Sequence, residues 1–251
     1  MIILTKFSNR TIIARINFNM EDRYRMTSIK TAAKNKKQFI LRCAVLCAGL
    51  AFMALGVAFS IKANLGVSPI SSVPYITAYL SGLSTGTTTF IMNCLFVVIQ
   101  ILILRKHYDK FQLLQIPASL IFGALIDLFE FIIKDLGYSN YLNQWVYCVL
   151  GILFLAFGVS LEVAAGLITN AGEGIVLAIC QVAPVKFGNM KVVFDVTLMC
   201  ITIAISLIAL HKLQGVREGT IAAAVCVGFI TKLFARILKP LKERVADATR
   251  A

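Results

Sequence analysis

Residues 61–75 read IKANLGVSPISSVPY, and this short polar segment separates one long apolar run from the next. It contains one Lys, one Asn, one Gly, three Ser and two Pro within fifteen residues. Pro breaks a regular helix, Gly adopts turn conformations at no steric cost, and Ser and Asn hydrogen-bond to nearby backbone groups. The segment therefore predicts a break in helical structure inside an otherwise apolar region.

The chain around this segment has the composition of an integral membrane protein. Apolar residues make up 59% of its 251 residues, the mean hydropathy is +0.83, and charged residues make up 15%, whereas soluble domains contain about 25%. The formal charge of +13 does not indicate nucleic-acid binding, because Lys and Arg concentrate before, between and after the apolar runs, as in membrane topology. The lipid bilayer is therefore an expected partner, and no nucleic acid is expected.

Six apolar runs are each close to the about 20 residues that a helix needs to cross a bilayer. They cover residues 39–61, 87–104, 113–133, 145–163, 190–210 and 218–238. Two further apolar segments, 69–81 and 171–183, are shorter and reach only about 20 Å at 1.5 Å per residue. We predict an all-α integral membrane protein with six spanning helices and two short re-entrant or broken helices, which follow breaks at about 64–68 and 166–171.

The sequence also repeats itself. A shift of 102 positions pairs seven residues of the first apolar run with identical residues, namely Gly49/Gly151, Phe52/Phe154, Ala54/Ala156, Gly56/Gly158, Val57/Val159, Ala63/Ala165 and Leu65/Leu167. Further pairs are Gly86/Gly188 and Asn93/Asp195 at the same shift, and Ser119/Ala224, Gly123/Gly228 and Phe129/Phe234 at a shift of 105. Matching glycines and polar positions are less readily produced by chance than matching apolar residues, so we predict two membrane repeats, 39–143 and 144–238.

The positions of Lys and Arg favour an inverted arrangement of the two repeats. If the short segments do not cross the membrane, the basic loop 105–110 lies on the same side as the basic N-terminal extension, 1–38, and the basic tail, 239–251. Eight crossings would move this loop to the other side and weaken the bias of positive residues toward the cytoplasm. We therefore expect a protein of the bacterial cytoplasmic membrane with both termini cytoplasmic. The start of translation is at Met1, Met20 or Met26.

The two breaks predict the location of a binding site. Irregular polar backbone at membrane depth is tolerated only where protein or a water-filled cavity satisfies it. Interrupted segments at matching places in two repeats indicate a transporter's binding site. The segments ANLGVSPISS, 63–72, and AGLITNAGEG, 165–174, form such a pair.

At these residues the chain resembles the YitT/YczE-like family of bacterial membrane proteins. The resemblance rests on GLAFMALGVAFSIKANLGVSP at 49–69, STGTTTF at 84–90 and REGTIAAAVCVGFITKLF at 217–234. It extends from residue 40 to about residue 238. The resemblance implies a multi-pass protein of the cell membrane, in a family whose biochemical role is poorly defined.

Nine residues are candidates for contact with a solute: Asn64, Ser68, Ser71, Asn93, Asp127, Asn170, Glu173, Asp195 and Lys232. Asp127, Asp195 and Lys232 are ionisable groups inside spans. Such groups cost about 2.5–3.5 kcal/mol to insert into a membrane and are functional candidates by default. Their alternative role is a structural ion pair that holds the bundle together. Glu173 lies between two glycines at a helix start, where it is either a cap or a cation or proton site.

Other polar residues also have a structural alternative. Ser68 and Ser71 either coordinate a solute or cap a helix locally. Asn93 either contacts a solute or forms an interhelical hydrogen bond. Glu162 and Lys62 lie at opposite ends of corresponding helices, where we expect their charges to reach the interface by snorkelling.

The inverted arrangement predicts which polar groups can meet. Asn93 and Asp127 are expected at one depth, where they can pair with each other. Their counterparts Asp195 and Lys232 are expected to share another depth and to form a contact in at least one state, because a paired charge relieves the insertion penalty. No Asp127–Lys232 salt bridge is expected.

Enzyme chemistry is not expected from this sequence. The seven cysteines lie in apolar context without a CxxC pair, and the two His residues lack metal-ligand spacing. No catalytic, metal or cofactor site is therefore predicted. The predicted function is a secondary transporter or permease for a small polar solute, bound between the two broken segments. The alternative is a non-transporting scaffold, either a homodimer or a partner subunit of another complex.

Overall fold

The structure, a computed structural model, describes residues 36–137 and 140–240, with side chains from residue 39 onward. Most of the predicted N-terminal extension, 1–38, and of the predicted tail, 239–251, lies outside the described residues. All regular structure in the described part of the chain is helical. The predicted helical fold class is therefore confirmed.

The described residues form eight α-helices: α1 (Lys36–Ala63), α2 (Pro69–Ser81), α3 (Thr85–Leu104), α4 (Gln115–Ile132), α5 (Tyr141–Ala165), α6 (Ala171–Val182), α7 (Phe187–Leu210) and α8 (Glu218–Ile237). Two 3₁₀ turns, Arg105–His107 and Lys110–Leu114, connect α3 to α4. Six of the helices are long and apolar enough to cross a membrane, whereas α2 and α6 have only 13 and 12 residues. The predicted six spanning helices and two short helices are confirmed.

Each short helix follows a backbone break at the predicted place. Asn64 and Gly66, with φ of 53° and 91°, turn the chain between α1 and α2, and Gly166, with φ of 62°, ends α5. Gly adopts positive φ at no steric cost, and Asn tolerates it better than most residues. Pro69 then begins α2 at a position where its missing N–H removes no helical hydrogen bond.

The centre of the bundle is an antiparallel pair of helices, α1 and α5, that approach closely at glycines. A Cβ on Gly56 would lie 2.8 Å from the Gly151 carbonyl oxygen, and one on Gly158 would lie 2.6 Å from the Gly49 carbonyl oxygen. Small residues let helix backbones approach inside a membrane, where van der Waals packing drives association. Helix α4 packs on α1, and α8 packs on α5.

Both short helices pack between α3 and α7, but they do so at different levels. The start of α3 contacts α2, because Thr88 Oγ1 donates to the Pro74 carbonyl oxygen at 2.9 Å. The end of α3 contacts α6, because Gln100 Nε2 donates to the Ala171 carbonyl oxygen at 2.9 Å. The two short helices therefore contact opposite ends of α3, and they pack on each other near their starts through Val73, Ala171 and Ile175.

Side-chain contacts define which helix ends lie together. We call the end of the bundle where α1 begins the proximal end and the opposite end the distal end. At the proximal end, Gln100 of α3 donates to Gln115 of α4 at 3.2 Å, and Leu46 of α1 lines the same cavity as Gln115. At the distal end, Lys62 Nζ donates to the Lys134 carbonyl oxygen at 2.6 Å. The connection between α3 and α4 therefore lies at the same end as the start of α1.

The last helix returns to the proximal end. The Gly219 N–H at the start of α8 donates to the Leu65 carbonyl oxygen, just after α1, at 2.8 Å. Near the other end of α8, the Phe234 ring meets Phe157 of α5 edge-on at a centroid distance of 5.3 Å. The start of α1 and the end of α8 therefore both lie at the proximal end.

The two outer helix pairs differ in how closely they pack. A Cβ on Gly86 of α3 would lie 2.0 Å from the Gly123 carbonyl oxygen of α4, whereas nothing lies within 4 Å of a Cβ on Gly188 of α7 or Gly228 of α8. Only 17% of the apolar stretch of α7 and 11% of that of α8 is buried, against 33% for α3 and for α4. Helices α3 and α4 are therefore closed on each other, and α7 and α8 are apart.

Candidate functional site

A small cavity lies beside the break between α5 and α6, at the proximal end, with free space for about one water. We call it the α5–α6 cavity. Five helices and the break contribute to its wall, through Leu46, Leu50, Asn93, Gln115, Ala118, Ser119, Phe122, Glu162, Ile168, Thr169, Asn170 and Ala171. The cavity therefore combines apolar side chains with a concentration of polar ones.

Three neutral polar side chains in this wall are more than nine-tenths buried. Asn93 and Ser119 are 6% exposed and Thr169 is 7% exposed. None of the three side chains makes a hydrogen bond to another described residue, and none of their polar atoms is fully enclosed by protein. Buried polar groups in folded proteins are normally hydrogen-bonded. These three groups therefore offer unused donors and acceptors to whatever occupies the cavity.

Two opposite charges are buried at the same break. Glu162 is 3% exposed, and its Oε1 accepts a hydrogen bond from the Asn170 N–H. Arg42 is 4% exposed, and its Nη1 lies 4.0 Å from the position of a Cβ on Gly166. The expectation that Glu162 snorkels to the interface is wrong, because the chain after Gly166 folds back over the carboxylate.

A chain of amides holds α6 against α3 and α4. Gln100 Nε2 donates to Gln115 Oε1 at 3.2 Å and to the Ala171 carbonyl oxygen at 2.9 Å. Gln115 Nε2 in turn donates to Gln112 Oε1 at 2.7 Å. A Cβ on Gly174 would lie 2.6 Å from Gln100 Oε1, so a larger residue at this position would displace the Gln100 amide. The network fixes the start of α6 at the edge of the α5–α6 cavity.

A second, smaller cavity lies at the first break, at the distal end. Its polar wall groups are engaged with the protein. Arg217 Nη1 donates to the Asn64 carbonyl oxygen at 2.9 Å, Ser60 Oγ donates to the Gly56 carbonyl oxygen at 2.9 Å, and Tyr75 accepts from the Gln214 amide at 3.1 Å. The first break is therefore held in place by hydrogen bonds to the rest of the protein.

The structure distributes the predicted polar residues over both breaks. Asn93 and Asn170 line the α5–α6 cavity, whereas Asn64 lies at the distal cavity. Ser68 Oγ donates to Ser71 Oγ at 3.0 Å, so these two serines bond locally at the start of α2. The two cavities are separate, but the short helices touch at their starts, where a Cβ on Gly172 of α6 would lie 2.0 Å from Ile70 Cδ1 of α2. The expected site between the two broken segments stays a prediction.

The predicted charged residues have other partners than those expected. Asp127 accepts hydrogen bonds at the start of α3 from the Gly86 N–H at 2.6 Å and from Ser84 Oγ at 2.7 Å, and it does not pair with Asn93. Asp195 forms an i,i+4 ion pair with Lys191 at 2.8 Å.

Two further charged positions complete the predicted set. The expected contact of Asp195 with Lys232 is not made in this conformation, because α7 and α8 are apart and Lys232 is exposed. The described residues contain no Asp127–Lys232 ion pair. Glu173 lies half-buried in the first turn of α6.

Sequence reasoning missed five residues at this site: Arg42, Gln115, Ser119, Glu162 and Thr169. Arg42 had a signal, since it is a charge within the first apolar run. No sequence signal marks Ser119 and Thr169, since Ser and Thr are common in membrane proteins. No group of three or more His, Cys, Asp or Glu side chains within the described ranges could hold a metal ion.

Comparisons with known proteins agree with this fold. Residues 40–236 match the model of a family of unknown function, DUF6198. Over 147 residues the chain is 29% identical to the uncharacterized membrane protein YczE of Bacillus subtilis (strain 168), covering 58% of this chain and 66% of that protein. Over 114 residues it is 25% identical to the uncharacterized protein YyaS of the same organism, covering 45% of this chain and 55% of that one.

These matches confirm the resemblance to YczE-like bacterial membrane proteins. The chain spans less than two thirds of the length of each of these relatives. No solved structure matches the chain. Neither relative's name states a substrate, so the geometry of the site carries the functional argument.

Proposed function

The chain belongs to DUF6198, a family of unknown function, and we propose that it is a secondary transporter or permease for a small polar solute. The solute binds in the α5–α6 cavity. Binding there uses the Asn93 amide and the Ser119 and Thr169 hydroxyl groups, while Ile168 and Thr169 in the break place non-helical backbone in the cavity wall. Transport proteins place such irregular backbone where it lines a cavity.

One observation carries this proposal, namely the three buried side chains without a partner among the described residues. A buried polar group that lacks a hydrogen bond costs about 1–3 kcal/mol of stability. A scaffold gains nothing from three such groups around one empty space. A binding protein gains affinity from them, because the ligand then completes their hydrogen bonds.

Contacts between the two halves support the inverted repeat that alternating access requires. Ser72 Oγ meets Thr202 Oγ1 at 2.8 Å. The positions 102 residues later and earlier, Gly174 and Gln100, also meet, since a Cβ on Gly174 would lie 2.6 Å from Gln100 Oε1. An interaction and its exchanged counterpart are what a twofold relation between repeats produces. These contacts support the proposal that the two halves exchange conformations.

In the proposed transport cycle, the outer helix pairs α3–α4 and α7–α8 exchange their closed and open arrangements. In this conformation α3 and α4 are closed at the distal end, and their counterparts α7 and α8 are apart. In the second state Gly188 packs on Gly228, and α3 separates from α4. The solute enters the cavity in one state and leaves it in the other, driven by a gradient.

We also propose the orientation of the protein in the cell membrane. The connection between α3 and α4 contributes exposed Arg105, Lys106 and Lys110 at the proximal end, and Lys186 before α7 is exposed at the same end. Positive residues concentrate in cytoplasmic loops. The proximal end, with both ends of the described chain, is therefore cytoplasmic.

A second candidate is a non-transporting partner subunit or homodimer. The sparse burial of α7 and α8 favours it, because another protein could cover their faces as well as lipid does. In that case the α5–α6 cavity has no ligand. The two candidates differ in whether a solute that binds this cavity can be found.

A thermal-shift screen of the purified protein tests the proposed site. A solute that binds the folded state raises the unfolding temperature. We expect Asn93→Leu to abolish the shift, while Asn143→Leu on the exposed start of α5 retains it. A shift that survives Asn93→Leu unchanged would remove this cavity as the site, and a broad screen without any shift would favour the partner-subunit candidate.

A further inference from the structure

We infer that the solute of the α5–α6 cavity is uncharged, small and rich in hydroxyl or amide groups. This inference rests on the proposed function and names the chemical class of its substrate. It follows from three properties of the wall, which are the kind of polar group present, the sum of the buried charges and the size of the space.

The polar side chains of the wall that make no hydrogen bond to the described residues are neutral, and each can both donate and accept hydrogen bonds. The Asn93 amide carries both donors and acceptors, and the Ser119 and Thr169 hydroxyl groups each donate and accept. A solute that satisfies all three must itself donate and accept hydrogen bonds at several places. Hydroxyl and amide groups do both, whereas an ammonium group only donates and a carboxylate only accepts.

One buried charge of each sign lies at the cavity or at the break beside it. Glu162 is the one charged side chain among the described residues that line the cavity, and the Arg42 guanidinium lies at the same break. An anion would face the Glu162 carboxylate. A cation would face the Arg42 guanidinium at the same break. Burying an uncompensated charge is costly, so a neutral solute fits this pair of charges best.

The size of the space favours a small solute. In this conformation the free space of the cavity is about that of one water. A solute therefore binds only as the wall moves apart, and a small solute requires the least movement. Helix α6 and its amide network border the space, which excludes a longer chain from that side.

Osmotic re-swelling of proteoliposomes tests the inference. The full-length protein is reconstituted, and light scattering follows entry of erythritol, xylitol, sodium xylonate or choline chloride. Xylitol and xylonate are a matched pair, because they differ mainly in replacing a hydroxymethyl group by a carboxylate. We expect at least one of the two polyols to enter at least threefold faster than into empty liposomes, and xylonate and choline to enter at the empty-liposome rate.

The variants Asn93→Leu and Asn143→Leu complete this experiment. Asn93→Leu is expected to return polyol entry to the empty-liposome rate, and Asn143→Leu is expected to retain it. Faster entry of xylonate or choline than of the polyols would overturn the solute class while leaving a transporter in place. Equal entry of all solutes into loaded and empty liposomes would overturn the inference, and the thermal-shift screen then decides separately whether the proposed function also fails.

Discussion

Helices α3 and α4 make a contact that their counterparts α7 and α8 do not make. On the first pair, Gly86 and Gly123 bring two backbones together, and the Asp127 carboxylate accepts from the Gly86 N–H at 2.6 Å. On the second pair, Gly188 and Gly228 face open space. The same spacing of glycines thus occurs once in a closed contact and once in an open one.

This difference shows that the same glycine spacing does not by itself fix a contact. Gly188 and Gly228 have no packing neighbour in the described conformation, and Gly228 lies in a helix interior, where Gly is less favourable than Ala by about 1 kcal/mol. The second conformation that we propose, in which they close, would give them a packing role. In that proposed state the open pair adopts the geometry of the closed pair.

The largest expected difference is between Gly86 and Gly188, the two glycines at the starts of α3 and α7. Gly86→Ala is expected to lower the free energy of unfolding by about 1–3 kcal/mol, because its Cβ meets a backbone carbonyl oxygen at 2.0 Å and the two helices must separate. Gly188→Ala is the matched control and is expected to leave this free energy unchanged or raise it by up to about 1 kcal/mol. Equilibrium unfolding in detergent micelles measures both, and equal losses would contradict the comparison.

The two corresponding carboxylates are expected to differ less. Asp127→Ala removes two hydrogen bonds at the start of α3 and is expected to cost about 1–2 kcal/mol, as loss of a helix cap does. Asp195→Ala removes one i,i+4 ion pair with a partly exposed Lys191 and is expected to cost about 0.5 kcal/mol. The same unfolding measurement compares them, and a larger loss for Asp195→Ala would be evidence for an undetected partner on α8.

The smallest effect is expected at Lys232, the counterpart of Asp127. Lys232 is exposed, so Lys232→Met is expected to change the free energy of unfolding by less than about 0.5 kcal/mol. It is also expected not to alter the loss caused by Asp195→Ala, because the two residues do not touch in this conformation. A double-mutant cycle checks this, and a coupling above about 1 kcal/mol would indicate that the state with the Asp195–Lys232 contact dominates.

The spanning helices and the breaks could be predicted from the sequence because their signals are local. Length and hydropathy fix a span, and Gly66, Pro69 and Gly166 fix where the helix stops. Asn93 and Asn170 were recognised as candidates because polar groups at membrane depth are expensive. These signals need no knowledge of which helices become neighbours.

The rest of the site depends on packing that no local pattern specifies. Glu162 has the same sequence context as a snorkelling carboxylate, and only the path of the chain after Gly166 buries it. The expected Asp195–Lys232 contact requires α7 and α8 to be closed, which is a property of one conformation. Depth in the membrane alone therefore predicts which residues could pair, but not the partners that they contact in the structure.

Cross-linking across α7 and α8 tests the exchange of closed and open helix pairs most directly. Gly188→Cys and Gly228→Cys are combined in a variant that lacks the seven described free cysteines and keeps the wild-type unfolding temperature, and oxidation in proteoliposomes is followed by mass spectrometry. The control replaces Gly228→Cys by Phe229→Cys, whose native side chain is 73% exposed. We predict a disulfide within one chain for the first pair and little for the control. Equal yields for both pairs, or disulfides only between two chains, would contradict the proposed second state.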